Sequence, residues 1–147
     1  MNVHLRRLLS SQAPAATVLI RVLVGAVFLS EGIQKFLDPE LRGAGRFLEI
    51  GIPAPEILGG FVGGTEVLCG LLVLAGLVTR AAVVPLIVIM LVAIGTTKLA
   101  ILGSDGFWSA AHASRTDFSM LLGSVFLLLV GAGPWSADQK LLERGAP

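Results

Sequence analysis

Residues 57–78, ILGGFVGGTEVLCGLLVLAGLV, are followed by 81–102, AAVVPLIVIMLVAIGTTKLAIL, with only Thr79-Arg80 between them. Crossing the hydrocarbon core of a bilayer as a helix takes about 20 apolar residues, and each run supplies that length. A link this short makes the pair an antiparallel hairpin. Two further runs, about 15–36 and 118–133, bring the number of expected spans to four. The runs are continuous rather than alternating, which excludes a β-barrel, and helices satisfy their own backbone in lipid. The expected fold is an all-α integral membrane four-helix bundle, one domain over 1–147.

Composition points the same way. The 147 residues are 54% hydrophobic and only 14% charged, against about 25% charged in soluble domains. Too few polar side chains exist to coat a water-soluble globule. Eleven basic and ten acidic residues leave a net charge of +1, so no basic surplus exists to hold a nucleic-acid backbone. Cys69 is the single cysteine, which excludes an intrachain disulfide and any dithiol mechanism within one chain. His4 and His112 are far apart and outside the apolar runs, so no metal site is expected. Arg6 and Arg7 precede the first run, but no small-x-small cleavage site follows before Glu31 and Lys35; the run reads as a retained helix rather than a signal peptide.

The connections differ in character. Residues 37–56 mix Phe47, Leu48, Ile50 and Ile52 with Arg42, Arg46 and Glu49, and end in Gly51-Ile52-Pro53-Ala54-Pro55. This pattern suits a short interfacial helix between helices 1 and 2, with Pro55 opening the next span. Residues 103–116 read as a loop carrying Phe107, Trp108 and His112, with Trp108 and Trp135 near helix ends, where interfacial aromatics sit. Arg6, Arg7, Arg80, Lys140 and Arg144 fall on one side, and Arg42, Arg46 and Arg115 on the other. That bias places both termini in the cytoplasm.

The charges within or beside the spans are the candidate functional residues. They are Arg21, Glu31, Lys35, Glu66, Lys98 and Asp117, three basic and three acidic. A charge at the bilayer centre costs at least about 2.5–3.5 kcal/mol, so such residues are functional candidates by default. Arg21, Gly25, Phe28, Gly32 and Lys35 step by four, three, four and three, forming one stripe of helix 1 with Glu31 at its edge. Gly59, Gly63, Glu66 and Gly70 repeat that spacing on helix 2. Gly59-x-x-x-Gly63 and Gly60-x-x-x-Gly64 are small-xxx-small pairs that permit close backbone approach. Both stripes are expected to face the bundle interior. By depth they read as a graded polar track: Arg21 below, Glu66 central, and Glu31, Lys35, Lys98 and Asp117 above. The expected pairings are Arg21 or Lys98 with Glu66, and Lys35 with Glu31 or Asp117. The plainer alternative is that Lys35, Lys98 and Asp117 snorkel to the outer interface and that a buried pair at Glu66 only fixes packing. Cys69 reads as a small buried residue.

The order of these pieces resembles the DoxX family of small bacterial and archaeal membrane proteins. The matching pieces are Arg21-x-x-x-Gly25, Gly32-x-x-Lys35-Phe36, Gly51-Ile52-Pro53-x-Pro55, Glu66-x-x-x-Gly70 and Leu74-x-Gly76-x-x-Thr79-Arg80, within about 19–135. The resemblance implies a four-helix membrane bundle in the cell membrane, for a bacterium the inner membrane. By position it carries the family's polar residues onto Arg21, Lys35 and Glu66. It also implies a link to redox complexes, since a related branch supplies a subunit of thiosulfate:quinone oxidoreductase and other members are tied to thiol or oxidative stress. Nothing here looks like a dedicated thiosulfate site.

Three functions compete at this point. The first is a membrane subunit of a redox complex, with no intrinsic cofactor, meeting a quinone in the bilayer; Arg21, Lys35 or Lys98 would donate to the head group and Glu66 would relay protons. The second is a noncatalytic anchor or assembly factor holding a protein partner. The third is a small transporter or proton pathway, for which four short helices leave little room unless the chain forms a homo-oligomer, and no inverted repeat is obvious.

Overall fold

The computed structural model describes residues 8–144; His4, Arg6 and Arg7 lie outside them. Helix α1 spans Thr17–Leu37 and α3 spans Pro55–Ala75. Between them α2, Ala44–Glu49, is the short helix expected in the connection. The α4 helix spans Thr79–Ala93 and continues through one π-turn, Ile94–Lys98, into α5, Leu99–Val130. A last helix, α6, covers Ala137–Arg144. Three helical stretches are long and apolar enough to cross a membrane, 17–37, 55–75 and 79–130. The third holds 52 residues, about twice what one crossing needs.

That third stretch folds back on itself at Gly106. Its φ of 82° and ψ of 177° break the helix, in a region that only glycine enters freely. Arg80, near the start of the stretch, donates from Nε to Leu128 O at 3.1 Å, near its end. Four crossings result, as expected from the sequence.

Two expectations are corrected here. Residues 103–116 are helical on both sides of Gly106 rather than a loop. Their serines hydrogen-bond within the helix, Ser104 to Ala100 O and Ser114 to Ala110 O at 3.2 and 2.6 Å, so polarity there does not unwind the chain. The α3–α4 turn is also not at Thr79-Arg80. Gly76 (φ 67°) ends α3 and Val78 (φ 43°) precedes α4, because glycine takes the left-handed position that closes a helix. Thr79 and Arg80 are the first residues of α4.

Among the described helices α1 and α3 pack most extensively, and glycine lets their backbones touch. A methyl group on Gly32 would lie 2.7 Å from Gly63 O and 2.8 Å from Val67 N; one on Gly70 would lie 2.8 Å from Leu29 N. Small residues thus bring two backbones together where lipid gives no hydrophobic push. The expected stripes do face inward: Arg21, Gly25, Phe28 and Gly32 are buried on α1, and Gly59, Gly63, Glu66 and Gly70 on α3. Gly60 and Gly64 do not share this role, since a methyl on either meets nothing within 4 Å. They lie off the buried stripe by one residue, which is about 100° of helix.

One end of the bundle carries the start of α1, the end of α3, the start of α4, the end of α5, and α6. The far end carries α2 and the Gly106 reversal. Phe107 and Trp108 stand exposed there, their rings edge to face at 5.2 Å, and Trp135 is exposed at the terminus-bearing end.

Candidate functional site: two sets of buried charges

Arg21 lies at the terminus-bearing end and is only 3% exposed. Its acceptors are all backbone carbonyls. Nε donates to Val73 O at 3.0 Å and Nη2 to Leu74 O at 2.6 Å. Nη1 donates to Trp135 O at 2.6 Å and Ala132 O at 3.3 Å. The guanidinium therefore bonds late carbonyls of α3, Val73 O beside the Gly76 N–H and Leu74 O at the helix end, where few intrahelical donors remain, and binds them to the turn after α5. Gly76 is the residue that lets it in, since a methyl there would sit 2.6 Å from Arg21 Cζ.

Asp138 of α6 completes this clasp. It is 1% exposed and accepts the Val78 N–H at 2.6 Å and the Thr79 N–H at 3.1 Å. It thus caps the N-terminus of α4 and supports the left-handed backbone of Val78, which a β-branched residue adopts at a cost. Burial pushes the Asp138 carboxyl up from its ordinary value, opposed by those two amides and by the charge of Arg21. Sequence reasoning missed Asp138. Its one local signal, an acid in the first turn of a helix opened by Ser136, is explained equally well by the helix dipole.

The second set lies at mid-depth and toward the far end. Lys35 Nζ meets Glu66 Oε2 at 2.6 Å, with the side chains 12% and 2% exposed. Lys98 Nζ meets Asp117 Oδ2 at 3.0 Å across the Gly106 reversal, with both side chains about one-fifth exposed. Glu31 is half-buried and, among the described residues, forms no ion pair.

These contacts correct the expected pairings. Glu66 pairs with Lys35 rather than with Arg21 or Lys98, and Lys98 pairs with Asp117. The Gly32 contact with Gly63 and Val67 sets the register, so the Lys35 side chain, on the same face one turn on, folds back to Glu66 instead of snorkelling outward. The π-turn ends at Lys98 and changes its phase relative to α4. The graded track is also interrupted, because Arg21 belongs to a clasp of its own. Of the six residues singled out from sequence, the structure joins four in two pairs and leaves Arg21 with the backbone and Glu31 alone.

Beside the Lys35–Glu66 pair in sequence, Phe36 and Val67 join Ile33, Gly64 and Leu68 in walling an apolar groove of about 440 Å³ on the outside of α1 and α3.

The DoxX family model matches residues 16–102. A Mycobacterium tuberculosis protein named as an uncharacterized membrane protein, Rv3486, is 53% identical over 144 residues, covering 94% of this chain and 88% of the relative. No solved structure matches.

Proposed function

Because the chain belongs to the DoxX family of membrane proteins, we propose that it is the membrane component of a quinone-linked redox complex, with Lys35 and Glu66 as its working site. The observation that carries this reading is a lysine–carboxylate contact of 2.6 Å with the carboxylate 2% exposed in mid-helix. A buried ionic pair in a membrane is costly and marks sites that handle charge. A quinone supplies, when bound, two-electron, two-proton carrier chemistry, its electrons coming from the partner protein. The residues fit such a group. Lys35 Nζ has two N–H groups beyond the one on Glu66, enough to donate to a carbonyl oxygen. Glu66 can hold or release a proton at Oε2, and the groove by Phe36 and Val67 suits an isoprenoid chain. The chain would sit in the cell membrane with its termini in the cytoplasm, following Arg80, Lys140 and Arg144.

The test is mass spectrometry of the protein purified in mild detergent, together with Glu66→Gln. Quinone co-purifying with the unaltered chain, and electron flow through the co-purified partner falling at least tenfold in Glu66→Gln, is the expected result. No quinone and unchanged electron flow would remove the reading. A second reading, a noncatalytic anchor, is favoured by the Arg21–Asp138 clasp, which is built wholly for holding helix ends. It predicts that the same partner is captured undiminished by Glu66→Gln and lost on disruption of the clasp.

A further inference from the structure

The charges are distributed unequally about Glu66. Toward the terminus-bearing end, the helices carry no acidic or basic side chain until the clasp is reached: none in 22–30 of α1, 67–75 of α3, 81–97 of α4 and its π-turn, or 118–130 of α5. Val24, Phe28, Val73, Leu86 and Leu127 fill that layer at 0–1% exposure. Below them Thr17, Arg21, Thr79, Ser136 and Asp138 are all buried, and the guanidinium and carboxylate are occupied by backbone groups. Buried hydroxyls occur in this half, but they are neutral.

Toward the far end the pattern inverts. The exposure of ionisable side chains rises from 2% at Glu66 to 12% at Lys35 and to 21% and 22% at Lys98 and Asp117. Half-buried Glu31 lies one turn from Lys35 on the same helix. The charged groups that face Glu66 are thus Lys35, toward that end, and Glu31, level with Glu66 beside Gly32.

We infer that the Lys35–Glu66 pair meets water only from the far end of the bundle, and that the apolar layer and the Arg21–Asp138 clasp close the terminus-bearing end. This builds on the reading of the pair as a proton-exchanging site and gives its exchange a side. Water enters where fixed polar groups can hold it and stays out of a close-packed apolar layer. A proton on Glu66 therefore leaves to, and returns from, the compartment facing α2 and the Gly106 reversal.

Cys69 provides the reporter. It lies one turn from Glu66 toward the clasp and is 6% exposed. The protein is placed in sealed vesicles of known sidedness, and a charged, membrane-impermeant thiol reagent is added to either face. In the unaltered chain Cys69 is expected to stay unmodified from the terminus-bearing face. In a Cys69→Ala chain carrying Glu31→Cys, modification is expected to be at least tenfold faster from the far face. Asp138→Ala should raise Cys69 modification from the terminus-bearing face at least tenfold. Cys69 reacting from that face in the unaltered chain as fast as in Asp138→Ala, or Glu31→Cys reacting equally from both faces, would overturn the inference. If Asp138→Ala is not recovered folded, the unaltered chain and Glu31→Cys decide it. These rates report water access alone, so a purified chain without quinone would remove the redox reading and leave this one standing.

Discussion

The Arg21 clasp and the Lys35–Glu66 pair are similarly buried yet differ in what holds them. Arg21 is held by four carbonyls and faces a carboxylate that is itself bound to two amides. Those partners belong to the ends of α3 and α4 and to the turn after α5, so the clasp cannot open without undoing them. Lys35 and Glu66 are joined by one contact between two side chains, which a rotamer change can break. Arginine also stays protonated in proteins, whereas a buried lysine and carboxylate can exchange a proton. Burial alone therefore does not separate a structural charge from a working one. The identity of the partners, backbone or side chain, does.

The largest effect that would sharpen this contrast is expected from Arg21→Met. It removes several charge-assisted bonds of about 1.5–3 kcal/mol each, for a loss on the order of 5 kcal/mol, read as chemical unfolding in detergent. Adding Asp138→Leu should recover little, because Leu74 O and Trp135 O still lack the guanidinium. The mid-bundle pair should behave oppositely. Lys35→Met alone should cost about 3–5 kcal/mol, and the double variant Lys35→Met with Glu66→Leu should regain most of it. Equal recovery in the two double variants would erase the distinction.

Smaller effects test the scaffold. Gly32→Ala drives a methyl to 2.7 Å from Gly63 O and should cost about 1–3 kcal/mol, with loss of the Lys35–Glu66 register. Gly64→Ala meets open space and should be neutral or stabilising by up to about 1 kcal/mol. Lys98→Met should cost under about 1 kcal/mol, because that pair is partly exposed and such pairs contribute little. A loss as large as that for Lys35→Met would mean that the Lys98–Asp117 pair belongs to the working site.

The four spans and the inward stripes were legible because membrane helices announce themselves by length and by glycine spacing. Gly25 and Gly32 gave the face of α1 correctly, since burial of a stripe follows from helical phase alone. Partner choice was not legible. Whether Lys35 meets Glu66 or Asp117 depends on the relative height of the helices, which the close contacts at Gly25, Gly32 and Gly70 fix. The loop expected over 103–116 failed for a different reason: serines that bond to their own helix look the same in sequence as serines that leave it. Asp138 stayed hidden because its partners, Val78 and Thr79, are backbone amides, and the residue identities there give no sign of them.

The clasp also has a consequence for how the protein is made. Arg21 lies in α1, made before the other three described crossings, yet two of its acceptors, Ala132 and Trp135, come 111 and 114 residues later. Ser11 repeats the pattern, donating to Val130 O at 2.6 Å and accepting the Gly133 N–H at 3.1 Å. At about 5–20 residues per second of synthesis, the first crossing waits on the order of 5–20 s for these partners. Within that interval Val73 O and Leu74 O are made first, and Nη1 alone then waits for its acceptors. The closing of the bundle is thus timed by the synthesis of residues 132–135, and a chain cut short before Trp135 would leave the clasp incomplete.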